Sequence, residues 1–312
     1  MDALTYAASI DNLPPTALTQ PDGRVRFWYG NVMNAELVDT LVAEADMVVH
    51  FAAETHVTRS IYDNLLFFQT DVIGTQVISN AVLKSEGRIE RFVHISSSEV
   101  YGTAVSESMD EEHPLNPMSP YAGAKCGADR LVYSYHATYG IPAVIMRPFN
   151  NFGPRQHLEK VIPRFITSVL LNEPLTVHGG GDAARDFVHV SDLCRAVDLV
   201  LHAPREKVVG EVFNVASGEH RPILGIARDI VDMMGGRHSD ISFIGDRPGQ
   251  VMRHTGNYAK IQRTLGWTPK LSWKDGLATT IDWFRREKAQ WQKQIWARQI
   301  MIRNSAGKIE LH

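Results

Sequence analysis

The stretch Phe92-Val-His-Ile-Ser-Ser-Ser-Glu-Val-Tyr-Gly102 joins a short apolar run to a cluster of hydroxyls and a carboxylate. The run Phe92–Ile95 has the length and composition of a strand that is buried on both faces of a parallel sheet. Residues that follow such a strand face the crevice in which α/β proteins bind ligands. Three serines and a glutamate would be expensive to bury there for packing alone. The stretch therefore predicts a parallel sheet with a reactive site at the end of this strand.

Short strand-like runs alternate with helical periodicity on both sides of this stretch. The predicted strands are Val25–Tyr29, Met47–Ala52, Phe92–Ser96 and Ala143–Arg147, and the predicted helices are Ala35–Ala45, Asn64–Lys84 and Tyr121–Tyr139. The pair Ser119-Pro120 announces the last helix, since proline is common at the first helical position. This alternation predicts βαβ units and a doubly wound, Rossmann-like α/β sheet covered by helices.

Beyond Asn150 the predicted elements become shorter and less regular. They are the helices Pro163–Leu171, Ile223–Met234 and Tyr258–Leu265, the strand Leu175–His178, and the strands Phe187–Val190 and Val212–Ala216, which are expected to return to the main sheet. We therefore predict a Rossmann-like domain over residues 1–150, to which residues 185–218 return. A smaller, interleaved C-terminal substrate domain with a C-terminal extension is predicted over residues 151–312.

The composition argues against several classes of function. The 312 residues are 44% apolar and 21% charged with a formal net charge of −3, so no basic excess attracts nucleic acid or an anionic membrane. No apolar run is long enough to span a bilayer, and residues 1–13 lack the regions of a signal peptide. Two cysteines are too few for a disulfide framework, and no histidine pair has metal-ligand spacing on one helix face. These features favour a cytoplasmic enzyme with a small-molecule substrate and no metal.

The sequence Tyr121-Ala-Gly-Ala-Lys125 places a phenol and an ammonium one helical turn apart, on one face of the predicted helix. A nearby ammonium stabilises a tyrosinate, which can remove a hydroxyl proton while hydride leaves the same carbon. The same spacing also arises by chance as a surface Tyr/Lys pair. The polar stretch at 96–102 favours the catalytic interpretation.

Several motifs, in one order, give the chain a family resemblance. They are Asp2–Ala7, His50–Ser60, Ser96–Gly102, Ser119–Lys125, Arg147–Pro154, Glu159–Pro163, Arg185–Val190, and Asp246–Gly249 with Arg253. From Met1 to about Leu277 the sequence resembles the NAD-dependent epimerase/dehydratase family of extended short-chain dehydrogenase/reductases, specifically its dTDP-glucose 4,6-dehydratase branch. The resemblance implies an NAD-dependent hydro-lyase that converts a nucleotide-activated hexose, a dTDP- or UDP-sugar, to a 4-keto-6-deoxy sugar. It also implies a homodimer formed through the helix Tyr121–Tyr139.

The resemblance assigns the catalytic roles by position. Tyr121 would be the base at the C4 hydroxyl, with Lys125 as its tuner and as a ligand of the nicotinamide ribose. Ser97 would hydrogen-bond the C4 oxygen, and Glu99 would remove the C5 proton so that water leaves from C6. The branch usually has an aspartate acid where this chain has Ser98. The proton for the leaving hydroxyl must then come another way, through Glu99 or a water.

Three other interpretations remain open. A UDP-sugar 4-epimerase or a UDP-glucuronate decarboxylase would use the same Tyr/Lys pair. Glu99 argues mildly against the epimerase, and the segment His50–Ser60 argues against the decarboxylase. The third is a catalytically inactive fragment that binds nucleotide sugar without NAD.

The cofactor half of the resemblance is incomplete. The family begins with a strand and a glycine-rich turn that binds the pyrophosphate. About 30 residues of this kind have no counterpart here, through a start codon assigned too late or a genuine truncation. We therefore expect poor folding and weak NAD binding. Asp2 would bind the adenosine ribose and favour NAD over NADP. The other predicted cofactor-binding residues are Asn31, Val32, Phe51, Ala52, Ala53, Thr70, Ser96, Tyr121 and Lys125.

Nine positions resemble the substrate contacts of the branch. Those that follow the strand at 47–52 would surround the hexose hydroxyls, and the arginines at 185 and 253 suit a diphosphate because a forked guanidinium matches phosphate oxygens. His178 stands where the branch often has an aromatic residue, which leaves dTDP, UDP and CDP as possible nucleotides. The predicted substrate-binding residues are Glu54, His56, Arg59, Asn151, Glu159, Lys160, His178, Arg185 and Arg253.

Overall fold

The apolar runs of the first half of the chain form a parallel sheet in the computed structural model, which describes residues 1–19, 23–245, 251–298, 301–303 and 308–311. In chain order the strands are β1 (Met47–His50), β2 (Arg91–Ile95), β3 (Ala143–Pro148), β4 (Asn150–Phe152), β5 (Leu175–His178), β6 (Ala184–His189), β7 (Val212–Val215), β8 (His220–Pro222), β9 (Ile241–Ile244), β10 (Met301–Arg303) and β11 (Ile309–Leu311). The main sheet has the order β1-β2-β3-β7, with all pairs parallel. Val93 of β2 lies opposite Val49 and Val144, so that branched side chains line up across the sheet. The predicted parallel α/β fold is confirmed.

Helices cover both faces of this sheet. The helices of the described residues, including those of the second half of the chain, are α1 (Thr16–Thr19), α2 (Ala35–Ala43), α3 (Val57–Tyr62), α4 (Asn64–Phe67), α5 (Gly74–Lys84), α6 (Pro120–Tyr139), α7 (Val161–Leu171), α8 (Val190–His202), α9 (Arg205–Val208), α10 (Ile223–Met234), α11 (Ala259–Leu265), α12 (Trp273–Arg286) and α13 (Lys288–Trp291). One core cluster joins α2, α5 and α6 to Phe92 and Ile145. Another joins α8 and α11 to Val93 and Val144. A sheet packed in this way on both faces explains why its strands read as continuous apolar runs.

The second half of the chain packs two smaller sheets around a core of its own, and β10 pairs with β11 in a third sheet of two strands. The strands β4, β6 and β8 form one sheet, and β5 pairs with β9 in the other. Val212–Val215 joins the main sheet as predicted. The expected return of Phe187–Val190 to that sheet is wrong: Phe187 pairs with Asn150 of β4, and Asp186 with His220 of β8. The division into domains at about residue 150 stays a prediction, while of the segment 185–218 only Val212–Val215 joins the main sheet.

The predicted strand Val25–Tyr29 is also wrong. Only an isolated bridge joins Asp2 to Tyr29, and the side chain of Tyr29 is 73% exposed. Within the described residues, β1 is hydrogen-bonded to β2 alone. A strand needs neighbours that satisfy its backbone groups, so an apolar sequence without such a neighbour stays irregular.

The motif Asp246–Gly249 lies outside the described residues. None of the helices in the described ranges is long and apolar enough to cross a bilayer.

Candidate active site

The polar stretch after β2 turns at once into a short 3-10 helix, Ser98–Tyr101. Ser97 caps this helix, because its hydroxyl accepts a hydrogen bond from the Glu99 amide at 3.2 Å. Ser96, Ser97 and Ser98 are all buried at this strand end. The Ser96 hydroxyl donates to Asp129 at 2.7 Å. The Ser96 side chain is therefore hydrogen-bonded within the protein interior, whereas Ser97 and Glu99 lie at the turn.

Helix α6 brings Tyr121 and Lys125 to this turn. Ser119 caps the helix by accepting from the Ala122 amide, and Pro120 occupies its first turn. Tyr121 and Lys125 are both buried. The Lys125 ammonium donates to the carbonyl of Ile95, the last residue of β2, at 2.7 Å. Two elements that are distant in sequence thus meet at the end of one strand.

Burial dominates the electrostatics of the Tyr/Lys pair. It raises the pKa of Tyr121 above its usual range, while the adjacent Ser97 hydroxyl acts in the opposite direction. Burial also lowers the pKa of Lys125, which the carboxylates of Asp71 and Asp129 partly offset. The phenol is therefore held protonated, and a neighbouring positive charge is needed to turn Tyr121 into a base.

Glu99 lies between two side chains of the second half of the chain. Its Oε1 is 3.9 Å from Nε of Arg185 and 4.0 Å from Nδ1 of His254. Arg185 also donates through Nη1 to the carbonyl of Val251 at 2.6 Å. The sequence did not single out His254, because an isolated histidine carries no local signal of its contacts.

Five further polar residues form a cluster near the starts of α3 and α7. Glu159 accepts a hydrogen bond from the Tyr6 hydroxyl at 2.9 Å and lies 3.6 Å from Lys160 and 3.9 Å from His56. The Arg59 guanidinium stacks on the Tyr6 ring at 3.5 Å. The structure therefore brings four predicted substrate residues together and adds Tyr6, which the sequence analysis did not assign.

Other predicted substrate residues lie apart from this cluster. His178 is on β5, where its Nδ1 lies 3.0 Å from the carbonyl of Gly245. Arg253 donates to the carbonyl of Ser106 at 2.6 Å. Asn151 is on β4 and donates to the carbonyl of Phe149 at 3.3 Å. Glu54 is buried after β1, and burial raises its pKa.

Besides Ser96, Tyr121 and Lys125, the predicted cofactor residues lie just after β1, in the helical segment before α5, and near the N-terminus. Phe51 is 54% exposed, and Ala52 and Ala53 follow it with intermediate exposure. Thr70 lies in a π-helical turn, Phe68–Ile73, and such turns are frequent at functional sites. The remaining three lie near the N-terminus: Asn31 and Asp2 accept hydrogen bonds from nearby backbone amides, and Val32 packs in the core.

A buried ion pair lies beside the site and links the elements that form it. Arg147 of β3 binds both carboxylate oxygens of Asp129, at 2.8 and 3.0 Å, and donates to the Tyr101 hydroxyl at 2.9 Å. Asp129 also accepts from Ser96. The pair thus ties α6 and β3 to the end of β2. Within the described part of the chain, no three histidine, cysteine, aspartate or glutamate side chains come together as a metal-ligand set.

Asp71 is a buried carboxylate beside the site that the sequence analysis did not assign. Its Oδ1 accepts from the Glu54 amide at 2.8 Å, and its Oδ2 has no hydrogen-bond partner among the described residues. Burial raises the pKa of Asp71 to about 7, although Lys125 acts in the opposite direction. The raised pKa means that the folded state holds this proton more tightly than the unfolded state. Asp71 therefore contributes stability at acid pH that is lost as pH rises through about 7.

Replacing Asp71 by asparagine should stabilise the protein at alkaline pH. Asparagine keeps an acceptor for the Glu54 amide and carries no charge, so the free energy of unfolding should rise by about 1–3 kcal/mol at about pH 8 and hardly change at about pH 4. Urea unfolding at the two pH values measures this difference. Asp63→Asn is the control, because Asp63 is an exposed helix cap whose role asparagine can fill. A less stable Asp71→Asn protein at about pH 8 would show that attraction to Lys125 outweighs the cost of burial.

Comparison with known proteins identifies relatives over almost the whole chain. A family model described as GDP-mannose 4,6 dehydratase matches residues 1–280. The low-salt glycan biosynthesis protein Agl12 of Haloferax volcanii is 44% identical over 284 residues, which cover 91% of this chain and 89% of that protein. The dTDP-glucose 4,6-dehydratase of Streptomyces niveus is 40% identical over 292 residues, covering 94% and 84%.

The same relationship is visible in three dimensions. A crystal structure of dTDP-glucose 4,6-dehydratase from Streptomyces venezuelae, with NAD bound, has a TM-score of 0.89 and 38% identity, and covers 94% of this chain and 88% of that one. The range that the family model matches contains the positions of Ser97, Glu99, Tyr121 and Lys125. The chain therefore belongs to the GDP-mannose 4,6-dehydratase family, within the extended short-chain dehydrogenase/reductases.

Proposed function

We propose that this protein is an NAD-dependent nucleotide-hexose 4,6-dehydratase that forms a 4-keto-6-deoxy sugar nucleotide. The observation that carries the proposal is the meeting of Tyr121 and Glu99 at one strand end. A base for a hydroxyl and a base for a carbon acid are the two groups that this chemistry requires. An epimerase needs only the first of them.

The residues present suit the nicotinamide end of NAD. Tyr121, Lys125 and Thr70 offer hydroxyl and ammonium groups at the ends of β1 and β2, and the small Ala52 and Ala53 allow close approach of a ring. When bound, NAD would take hydride from C4 and return it to C6, and its oxidised ring would supply positive charge close to Tyr121. Asp2 would meet the adenosine ribose.

Tyr121 would remove the proton from the C4 hydroxyl, with Ser97 hydrogen-bonded to the same oxygen. Oxidation at C4 makes the C5 proton acidic, and Glu99 would then take it. Water leaves from C6 in this step. The short Ser98 side chain is a weak acid, so the departing hydroxyl needs its proton from another group.

The substrate would lie across the cleft between the two halves of the chain. Arg185 and Arg253, with Asn151, would bind the diphosphate. The cluster of Glu159, Lys160, His56 and Arg59, with nearby Glu54, would surround polar groups of the substrate. His178 would lie farther out, toward the nucleotide. A dTDP- or UDP-sugar fits this arrangement.

The assembly is proposed to be a homodimer in the cytoplasm. The segment beside α6 exposes Leu65, Phe68 and Ile73 by 62%, 43% and 47%. Val72 of this segment lies so close to α6 that a Cβ at Gly127 would contact it at 3.3 Å. Exposed apolar side chains grouped on adjacent helices are typical of an interface. The division into an NAD-binding half and a substrate-binding half is part of the same proposal.

Incubation with NAD and a panel of nucleotide hexoses tests the function directly. We expect one substrate to lose the mass of one water, and the mass of the product to name the nucleotide. An unchanged mass with an altered retention time would instead indicate a 4-epimerase, and loss of carbon dioxide from a uronate would indicate a decarboxylase. Binding of nucleotide sugar without any conversion, at saturating NAD, would contradict the proposal in favour of an inactive binding protein.

A further inference from the structure

His254 is a fully buried side chain placed directly behind Glu99. Its Nε2 lies 2.6 Å from the carbonyl oxygen of Gly102. Its Nδ1 has no hydrogen-bond partner among the described residues and lies 4.0 Å from Oε1 of Glu99. A buried ring nitrogen without a partner is unusual in a folded protein and calls for an explanation.

The ring is held from several sides. The backbone amide of His254 donates to the carbonyl of Ala184 at 3.1 Å, and the ring meets Phe149 edge-on at 5.9 Å. Gly102 has a φ of +71°, and a Cβ there would collide with the carbonyl of Asn116. The Gly102 carbonyl that faces Nε2 therefore belongs to a residue whose backbone conformation only glycine adopts without strain, and this fixes the place of the carbonyl.

These contacts determine which ring nitrogen carries the proton. A carbonyl oxygen only accepts, so Nε2 must be the protonated nitrogen. Burial lowers the pKa of His254, which keeps the ring neutral at physiological pH although Glu99 acts in the opposite direction. Nδ1 is then the ring nitrogen that carries a lone pair, and it lies 4.0 Å from Oε1 of Glu99. Arg185 is a charged group beside that carboxylate, with its Nε 3.9 Å from Oε1 of Glu99, while His113 also lies near His254.

We propose that His254 is a positioning residue that accepts a hydrogen bond from Glu99 whenever Glu99 is protonated. The inference rests on the proposed function. When the C5–H bond breaks, its proton forms an O–H bond on Glu99 and its electron pair forms the C5=C6 double bond as the C6–O bond breaks. The same proton then passes from Glu99 to the departing hydroxyl, which leaves as water. Glu99 thus performs both proton transfers, and Ser98 need not act as an acid.

The partition between C4 oxidation and water loss tests this role. In His254→Phe, which keeps a ring but no acceptor, C4 oxidation should stay near the wild-type rate, while water loss should slow by about ten- to a hundredfold. Reduced nicotinamide should therefore accumulate, as it should in Glu99→Gln. His254→Asn, whose carbonyl oxygen occupies the place of Nδ1, should restore part of the rate. Because the partition is a ratio within each sample, it does not depend on the fraction of folded protein.

The control is His202→Phe, at an exposed position on α8, which should leave both steps unchanged. Water loss at the wild-type rate in folded His254→Phe would overturn the proposal. A second measurement does not depend on turnover: the nitrogen NMR spectrum of His254 should show a protonated Nε2 and a bare Nδ1 at neutral pH. A protonated Nδ1 would also overturn the proposal. A wild type that converts no nucleotide hexose, although the spectrum shows the expected tautomer, would contradict the proposed function but leave the assignment of the His254 tautomer intact.

Discussion

Replacing Tyr121 by phenylalanine should lower the rate of hydride transfer by about a hundred- to ten-thousandfold. Phenylalanine fills the same buried space beside Phe67, so the fold and the binding of nucleotide should be retained. What is lost is the oxygen that takes the proton of the C4 hydroxyl. The appearance of reduced nicotinamide in a single turnover, together with the affinity for the free nucleotide, measures the two effects separately.

Tyr139→Phe provides the matched control for this change. Tyr139 belongs to the same helix, but its side chain is 57% exposed, and it should tolerate the loss of its hydroxyl. Hydride transfer at an undiminished rate in Tyr121→Phe would assign the base to another group. Loss of nucleotide affinity together with the rate would instead mean that Tyr121 shapes the cleft.

Replacing Asp129 by asparagine should destabilise the protein by about 3–5 kcal/mol, because it leaves Arg147 as a buried charge without a counterion. The present pair is bidentate, and neither side chain is more than 2% exposed. Arg147 holds the pKa of Asp129 well below its usual range despite burial, so the effect should be present at every pH above that range. The urea midpoint at neutral pH measures it.

An exposed contact between a carboxylate and a histidine supplies the comparison. Asp198 and His202 lie one turn apart on α8 with side chains about 70% exposed, so Asp198→Asn should change stability by less than about 0.5 kcal/mol. The double change Asp129→Leu with Arg147→Met should cost less than Asp129→Asn alone, since it removes both charges. A double variant less stable than the single one would mean that the links to Ser96 and Tyr101 matter more than the charge balance.

Much of the fold could be predicted from local sequence. The strand Phe92–Ile95 and the helix that starts at Pro120 have strong local signals, an apolar run in one case and a capping serine before proline in the other. Val25–Tyr29 has a comparable composition, but within the described residues it is paired only through the isolated bridge from Tyr29 to Asp2, and it remains irregular. Ala184–His189 is a strand whose partners only the tertiary structure decides. The local sequence pattern therefore predicted whether an element is a helix or a strand better than it predicted which strands pair with each other.

The residues of the candidate site were likewise predictable from the sequence only in part. Ser97, Glu99, Tyr121 and Lys125 stand in recognisable local motifs, and the structure places them at one strand end. Tyr6 meets Glu159 across 153 positions of sequence, and His254 meets Gly102 across 152. No spacing along the chain encodes such contacts. The carboxylate of Asp71 likewise becomes unusual only through its burial.

Among the residues that the structure describes, β1 pairs with β2 alone, and this has a consequence for local motion. Its residues are partly exposed except for His50, whereas every residue of β2 is buried. The amide hydrogens of β1 should thus exchange with solvent through small local openings, and those of β2 only when the whole domain unfolds. Ala52, Ala53 and Glu54, which would form one wall of the proposed ligand site, follow closely after this less protected strand. Part of the binding energy of any ligand there would be spent on ordering that wall, which weakens its affinity without altering the catalytic groups.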